Sequence, residues 1–391
     1  MVEQDPSQRG ERMLGKRLMI AVSVVILAAF AAAVPMAVGQ GKPPVKIAVI
    51  VPLSGPGAFD GGVHVDAART VAKLVNAKGG ILGGRQLEIV PYDDKAVPEE
   101  GVSAAKRAIA EDKVDAIASS LNSTVALAMK EVTKGKVLHV VMSAQHPNIT
   151  KEGHPWLFRI NETNAVRAER FGKFICERLG VKSLSLLTLN DDYGRAEVAA
   201  YTPHWDKCGI KIAGNEFFER TEADFAVQLT KIKGQKADGV YVITSLSAQG
   251  ATIYRQLKQL GYPGKVVAAG GNMNPKLVEL AGPSLEGVYS VVMFINTLST
   301  PVAKEFIVAY ERDYKRPASH LEGLAAEAIQ VIAQSMDKAG TSTDYEKIAR
   351  TIRENTWETV RGKVKFDSIG QATAPNFIVQ VKNGQIVKVD Y

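Results

Sequence analysis

The sequence predicts an α/β protein of two lobes, each built on an open parallel sheet with helices on both faces. Three observations support this fold class. Apolar strands alternate with amphipathic helices along the chain, which is typical of parallel sheets. Several strands, such as residues 46–53, are apolar without interruption, as expected for strands buried on both faces. The alternation begins again after residue 160 without a low-complexity linker, so we expect a second lobe and a cleft between the two.

The elements of the first lobe follow each other at short intervals. Strands are predicted at residues 46–53, 86–92, 114–118, 137–142 and 155–160. Helical spacing of apolar residues predicts a helix from about Val63 to Gly79, another at 101–111 and a third after Thr124. Three polar corners, SGPGAFDGG, SSLNST and SAQHPNIT, follow the first, third and fourth strands. Because ligands bind beyond the carboxyl ends of parallel strands, these corners are expected on one face of this lobe.

The second lobe repeats this architecture with a different sequence. Its predicted helices are residues 165–179, 195–208, 224–233 and 247–260, and its predicted strands are 183–189, 210–217, 239–243 and 265–269. Residues 287–296 are predicted as a strand that returns to the first lobe. The remaining elements are helices at 300–314, 320–339 and 344–355 and strands at 363–366 and 376–381, with a hairpin turn at Asn383 and Gly384.

The first 39 residues have the composition of an export signal. Basic residues precede an apolar run at 18–34, and the small residues Ala37 and Gly39 follow it. We therefore expect residues 1–39 to be a cleaved secretory signal peptide. An uncleaved membrane anchor is the alternative, because the run is long enough to span a bilayer. Translation could also start at Met13.

Composition and charge limit the classes of function that the chain can have. The chain has 391 residues, 46% hydrophobic and 23% charged, which suits two or three well-packed domains. The net charge is +7, but the basic residues are dispersed and not interleaved with aromatic side chains. We therefore expect no nucleic-acid partner. The two cysteines, Cys176 and Cys208, either form a disulfide in an oxidising compartment or remain buried thiols.

No constellation of catalytic residues or metal ligands is found. The glycines after the first strand break the G-x-G-x-x-G spacing, and no P-loop or G-x-S-x-G sequence occurs. The six histidines do not have the spacings typical of zinc sites. We therefore expect a protein that is not an enzyme and that uses neither a metal nor a cofactor.

The corner at residues 119–124, between the third strand and its helix, has two interpretations. Its serine, asparagine and threonine side chains are typical of a helix N-cap. Backbone N–H groups at the start of a helix, together with the helix dipole, also bind anions such as a carboxylate. The residues of the corner alone leave both interpretations open.

Motifs along the chain resemble the type I periplasmic solute-binding proteins of branched-chain amino acid ABC transporters. The most specific motif is VNAKGGILGGRQLE at residues 75–88, followed by YDD. KIAVIVPLSGPGA, LNDDYGR and EGVYS are also similar to this family, in the same order. The resemblance covers roughly residues 45–389. It implies two Rossmann-like lobes joined by three crossover strands, which we expect at 40–161 plus 293–363 and at 162–292 plus 364–391.

The resemblance also implies a set of ligand-binding residues. The corner after the third strand is expected to hold the ligand carboxylate, and the corner after the fourth to add further contacts. A second-lobe tyrosine and a contact at the rim of the cleft complete the set. By this similarity the ligand-binding residues are Ser120, Leu121, Asn122, Ser123, Ser143, Ala144, Gln145, Tyr193, Asn272 and either Phe59 or Asp60.

Two departures from the family pattern leave the ligand open. Family members hold the ligand ammonium with an acidic residue after a second-lobe strand, but the matching stretch here, AGGNMN at 269–274, has none. Asp60 or Asp192 could replace it. Gln145 stands where several relatives have threonine. We therefore expect either a branched-chain or hydrophobic amino acid or an amine-free organic or aromatic acid.

The resemblance implies a periplasmic, monomeric component of an ABC importer, which delivers its ligand to permease subunits. The alternative is a soluble sensor that delivers an amine-free acid to a membrane receptor.

Overall fold

Two sheets organise the protein, one wholly parallel and one mainly parallel. The structure is a computed structural model that describes residues 42–151, 153–271 and 273–391. The predicted signal peptide and Asn272 lie outside the described residues. The chain passes between the two sheets three times: after residue 159, after residue 292 and after residue 373. This arrangement confirms the predicted two-lobed α/β fold class.

The first lobe contains an all-parallel sheet. Its strands are β1 (Val45–Val51), β2 (Leu87–Asp93), β3 (Ala116–Ser119), β4 (Leu138–Val141) and β5 (Leu157–Arg159). They are ordered β2-β1-β3-β4-β5, and every neighbouring pair is parallel. The intervening helices are α1 (Ala58–Ala77), α2 (Pro98–Ala110), α3 (Ser123–Thr133) and the single turn α4 (Asn148–Lys151). β1 is almost wholly buried, which explains its uninterrupted apolar sequence.

The second lobe contains a seven-stranded sheet. Its strands are β6 (Ser183–Leu189), β7 (Lys211–Phe218), β8 (Gly239–Ile243), β9 (Lys265–Ala268), β10 (Tyr289–Val292), β14 (Phe377–Lys382) and β15 (Gln385–Lys388). They are ordered β15-β14-β10-β9-β8-β6-β7, and β14 and β15 are antiparallel to their neighbours. The predicted turn at Asn383 and Gly384 joins β14 and β15. Both of its residues have positive φ, as a two-residue hairpin loop requires.

The helices of the second lobe begin with two short ones, α5 (Asn164–Arg167) and α6 (Lys173–Arg178), joined by a π-helical turn at Ala168–Gly172. They are followed by α7 (Asp192–Lys207), α8 (Ala226–Gly234), α9 (Ser247–Gln259) and α10 (Pro275–Ala281). The chain then returns to the first lobe with α11 (Pro301–Tyr314), α12 (His320–Ala339) and α13 (Tyr345–Glu354). A small antiparallel sheet of β11 (Trp357–Thr359), β12 (Gly362–Phe366) and β13 (Ala372–Thr373) follows.

Several sequence predictions differ from the structure. The helix predicted at 165–179 contains the π-helical turn. The strand predicted at 287–296 is only the four residues of β10, which pair within the second sheet, and Met293 and Phe294 then enter the apolar core of the first lobe. Helix α10 was not predicted, because Pro275 begins it directly after a glycine- and asparagine-rich stretch that is typical of a loop.

Two glycines allow helices to begin close against the strands that precede them. A Cβ atom on Gly61, in the first turn of α1, would lie 1.7 Å from the carbonyl oxygen of Pro52. A Cβ atom on Gly194, in the first turn of α7, would lie 1.9 Å from the carbonyl oxygen of Leu189. Glycine at these positions brings the first turn of each helix to the cleft edge of its sheet.

Candidate functional site

The corner after β3 presents hydrogen-bond donors to the cleft. Asn122 occupies the N-cap position of α3, but its side chain does not cap the helix. Its Oδ1 accepts a hydrogen bond from Arg220 Nη1 at 2.9 Å, and its buried Nδ2 has no hydrogen-bond partner among the residues that the structure describes. Ser123 Oγ accepts from the backbone N–H groups of Gln145 and His146, each at 3.2 Å. A hydroxyl that accepts twice has its own proton left to donate. The corner therefore does more than cap a helix.

Ser120 joins this corner to the corner after β4. Its Oγ donates to the carbonyl oxygen of Asn122 at 3.2 Å. Its own carbonyl oxygen accepts from the N–H groups of Ser143 and Ala144, both at 3.2 Å. Ser120 is thus buried behind the cleft surface and holds the two loops together.

His64 on α1 determines the direction of the hydrogen bond that it shares with Ser143. His64 Nδ1 lies 2.6 Å from the carbonyl oxygen of Asp60, which only accepts, so Nδ1 donates. Burial lowers the pKa of His64 to about 4, so the ring is neutral at pH 7 and its Nε2 must accept. Nε2 lies 2.7 Å from Ser143 Oγ, which therefore donates to it. The remaining lone pairs of Ser143 make it an acceptor toward the cleft.

Gln145 spans the cleft. Its Nε2 donates to the carbonyl oxygen of Gly270 in the second lobe at 3.0 Å. Its Oε1 is buried, and no group in the described part of the chain donates to it, so Gln145 offers a second acceptor beside Ser143. Ala144 is buried between these two residues and adds apolar surface.

The second lobe contributes Tyr193 from the first turn of α7. Tyr193 is buried, and its hydroxyl has no protein partner. Asp191 is the N-cap of this helix, since its Oδ1 accepts from Gly194 N at 2.9 Å. Thr244 and Ser245 follow β8, and the Thr244 hydroxyl is also unpartnered.

These groups meet at a cavity of about 10 Å³ between the lobes. The volume accommodates about one water molecule, so the lobes are closed on each other. The cavity is lined by Leu121, Asn122, Ser123, Ser143, Ala144, Gln145, Tyr193, Ser245 and Gly271. Seven of these residues were predicted from the sequence, whereas Ser245 and Gly271 were not.

The two residues predicted for the rim occupy different positions. Phe59 does not line the cavity and packs in an apolar cluster that includes Leu121 and Leu246. Asp60 is buried at the interface of the lobes. It accepts from the backbone N–H and hydroxyl of Ser247, at 2.9 and 2.5 Å, and from Asn274 Nδ2 at 3.3 Å. Burial raises the pKa of Asp60 to about 6.

Arg220 also lies at the cleft and was not predicted from the sequence. It follows β7 and reaches Asn122 Oδ1, as described above, and Ser245 Oγ at 3.2 Å. Its Nη2 forms an ion pair with Asp191. The only sequence signal is its place just beyond the carboxyl end of a parallel strand, since no motif surrounds it.

No acidic side chain is among the residues that line the cavity. Asp192 is partly exposed and lies outside the lining. Asp94, directly after β2, is fully buried. Its Oδ2 has no protein partner, and burial raises its pKa to about 7. It too lies outside the lining.

A larger groove of about 580 Å³ lies between the β14–β15 hairpin and the start of α12. Its walls are mostly apolar and include Met273, Val278 and Ile386. The smaller cavity is the candidate site, because residues of both lobes that line it have unpartnered polar groups: Asn122 Nδ2, Gln145 Oε1 and the Tyr193 hydroxyl.

Within the described ranges, no group of three or more histidine, cysteine or acidic side chains is placed to hold a metal ion. None of the helices in those ranges has the length and apolar character needed to span a membrane.

Comparison with known proteins identifies relatives over most of the chain. A family model described as periplasmic binding protein matches residues 44–385. The leucine-, isoleucine-, valine-, threonine- and alanine-binding protein of Pseudomonas aeruginosa is 28% identical over 335 residues, which are 86% of this chain and 89% of that protein.

Solved structures of binding proteins also match most of the chain. A leucine binding protein, LivK, from Thermotoga maritima has a TM-score of 0.82 at 27% identity and covers 88% of this chain and 98% of that one. An ABC transporter solute binding protein from R. palustris in complex with benzoate has a TM-score of 0.81 and covers 88% of this chain and 95% of that one. At 19% identity, this second structure shows the shared fold alone.

Proposed function

The chain belongs to the periplasmic binding protein family, and from this premise we propose that it is the extracytoplasmic substrate-binding protein of an ABC importer. It captures a branched-chain or other hydrophobic amino acid, or a related small carboxylate, by closure of the two lobes. It then delivers the ligand to membrane permease subunits. The leucine-binding relatives named above support this ligand class.

The observation that carries the proposal is the set of unpaired donors at the start of α3. Asn122 Nδ2 and the Ser123 hydroxyl both present a hydrogen atom, and the helix adds its N-terminal partial positive charge. Buried donors without partners are rare and costly in folded proteins. A carboxylate satisfies both donors at once, so we place the ligand carboxylate at this corner.

The opposite side of the cavity presents acceptors. Gln145 Oε1 and the lone pairs of Ser143 suit an N–H donor, as the ammonium of an amino acid provides. Leu121 and Ala144 supply apolar surface for a hydrocarbon side chain. Since the closed cavity holds about one water, the ligand enters an open form and displaces side chains as the lobes close on it.

One observation favours an amine-free acid as a second candidate ligand. The lining contains no acidic side chain, and a buried ammonium without a carboxylate is costly. A sensor that binds such an acid is therefore the alternative function.

The remaining parts of the proposal concern location and organisation. Residues 1–39 act as the export signal, and the mature protein works in the periplasm as a monomer. The lobes comprise 40–161 plus 293–363 and 162–292 plus 364–391. The passages of the chain between the sheets after residues 159 and 292 support the first two boundaries, whereas the third passage follows residue 373, beyond the boundary proposed at 363.

A thermal-shift screen of the mature protein tests the proposal. The panel contains L-leucine and L-valine, their 2-keto acids, and benzoate. We expect at least one acid to raise Tm, because a ligand at 100 times its Kd stabilises the folded state by about 2.7 kcal/mol. A shift with amino acids alone identifies the first ligand class, and a shift with keto acids or benzoate alone identifies the second. No shift with any acid would contradict the proposal.

A further inference from the structure

We propose that Arg220 is a positioning residue, which turns the amide of Asn122 so that its N–H group faces the ligand carboxylate when the lobes close. The inference rests on the proposed function, because it assigns a role within the same cleft. It explains how a neutral side chain distinguishes a carboxylate from a carboxamide.

The contact with Arg220 determines which end of the Asn122 amide faces the cavity. An asparagine side chain carries an acceptor on one side and a donor on the other. Arg220 only donates, so the oxygen of Asn122 faces it, at 2.9 Å from Nη1. Asn122 Nδ2 therefore faces the other way, where it is buried without a protein partner in a residue that lines the cavity. If the amide were reversed, its oxygen would face the ligand and repel a carboxylate.

Residues of the second lobe hold Arg220 in place. Its guanidinium forms an ion pair with Asp191, which is itself fixed as the N-cap of α7. The side-chain amide of Gln249 on α9 donates to the backbone carbonyl oxygens on both sides, those of Glu219 at 3.2 Å and Glu222 at 2.9 Å, and to that of Arg220 itself at 2.9 Å. The second lobe therefore presents the guanidinium in a fixed orientation before closure, which lowers the entropic cost of the contact.

The contact between Arg220 and Asn122 depends on closure of the lobes. Arg220 follows β7 in the second lobe, whereas Asn122 begins α3 in the first. Their hydrogen bond forms only when the lobes approach each other. In an open form the amide of Asn122 is free to turn, so selection for the carboxylate takes place in the closed form.

The test compares an acid with its carboxamide by isothermal titration calorimetry. The pair is L-leucine with L-leucinamide or benzoate with benzamide, chosen by which acid the wild-type protein binds. Arg220→Gln is expected to weaken acid binding about 10-fold and to leave carboxamide binding within about 2-fold. Arg220→Lys keeps one charged donor and is expected to lose less. An equal loss for acid and carboxamide would overturn the proposal, since Arg220 would then only hold the lobes together.

A matched control is available in the same lobe. Arg195 is exposed and also donates to an asparagine oxygen, that of Asn190, at 2.9 Å, away from the cavity. Arg195→Gln removes the same charge and the same kind of hydrogen bond. It is expected to leave the Kd for the acid unchanged, and a loss equal to that of Arg220→Gln would attribute the effect to overall charge and overturn the proposal.

A double-mutant cycle shows whether Arg220 acts through Asn122. In an Asn122→Ala background, Arg220→Gln is expected to weaken acid binding by less than about 2-fold, because the amide it orients is gone. A full 10-fold loss in that background would overturn the proposal and make Arg220 a direct ligand contact. Gln249→Ala provides a second variant, which leaves the guanidinium in place. Like Arg220→Gln, it is expected to weaken binding of the acid more than binding of the carboxamide. Failure of the proposed function is seen separately, as absence of acid binding to the wild-type protein.

Discussion

Gln145 in the first lobe donates its side-chain amide to the backbone carbonyl of Gly270 in the second lobe, at 3.0 Å. Ser247 to Asp60 and Arg220 to Asn122 are further links across the cleft. Side chains that surround the cavity therefore also hold the lobes closed. Ligand recognition and lobe closure depend on the same residues in this protein.

Gln145 provides the first prediction. Gln145→Ala removes both a link between the lobes and an acceptor, so we expect ligand affinity to fall about 10-fold, mainly through faster dissociation. Gln145→Glu keeps an acceptor and adds a negative charge, so it should weaken binding of amine-free acids more than binding of amino acids. Stopped-flow fluorescence and calorimetry measure both effects. Dissociation rates equal to wild type in Gln145→Ala would contradict this role.

The carboxylate corner provides the second prediction. Asn122→Ala combined with Ser123→Ala removes the two donors, and we expect the Kd for the carboxylate ligand to rise by an order of magnitude or more. The control is Ser342→Ala, whose hydroxyl accepts from Arg85 in the first lobe, away from the cleft. Calorimetry with an unchanged Kd in the double variant would disprove the placement of the carboxylate.

The third prediction concerns pH. Burial lowers the pKa of His64 from 6.5 to about 4 in the folded protein. Between pH 6.5 and 4 the unfolded chain binds a proton here and the folded chain does not, so the free energy of unfolding falls as the pH falls. The loss is complete near pH 4 and amounts to about 3 kcal/mol. His64→Gln does not titrate, so its free energy of unfolding in urea should fall less steeply over this window. Parallel pH profiles for the two proteins would rule out a neutral buried His64.

Cys176 and Cys208 provide the fourth prediction. The sequence left a disulfide and two free thiols open, and the structure contains the disulfide, between α6 and the end of α7. It closes a loop with a sequence separation of 32, which the chain-entropy model values at about 3–4 kcal/mol. Replacing both cysteines with serine should therefore lower Tm by several degrees. The variant should also be insensitive to reductant, whereas reductant should lower the Tm of the wild-type protein. Equal Tm values under oxidising conditions would refute a stabilising disulfide.

The parts of the fold that were predictable are those with strong local patterns. β6 and α12 have the predicted bounds. The apolar run of β6 is typical of a buried strand, and the helical period of α12 is sustained along its whole length, so each pattern indicates one type of element. The helices that begin in polar corners were placed too late. Asp192 and Tyr193 are polar or amphipathic residues in the first turn of α7, where helical periodicity has not yet begun.

The residues of the candidate site could be predicted within each loop, but the contacts between the two lobes could not. The cavity lining includes the predicted residues of the corners after β3 and β4 except Ser120, because loops that follow parallel strands lie at the ligand-binding edge of the sheet. Arg220 was not predictable, since its contact with Asn122 depends on how two lobes approach each other. The burial of Asp94 was not predictable either, because it comes from tertiary packing, which the polarity of its neighbours does not reveal.

The central claim is that the corner after β3 holds the ligand carboxylate between closed lobes. A crystal structure of the mature protein with the acid identified in the thermal-shift screen tests it most directly. We expect one carboxylate oxygen within about 3.2 Å of Asn122 Nδ2 and the other within hydrogen-bonding distance of Ser123 Oγ. Arg220 should still contact Asn122 Oδ1. A carboxylate bound against Gln145, or a ligand outside this cleft, would contradict the account.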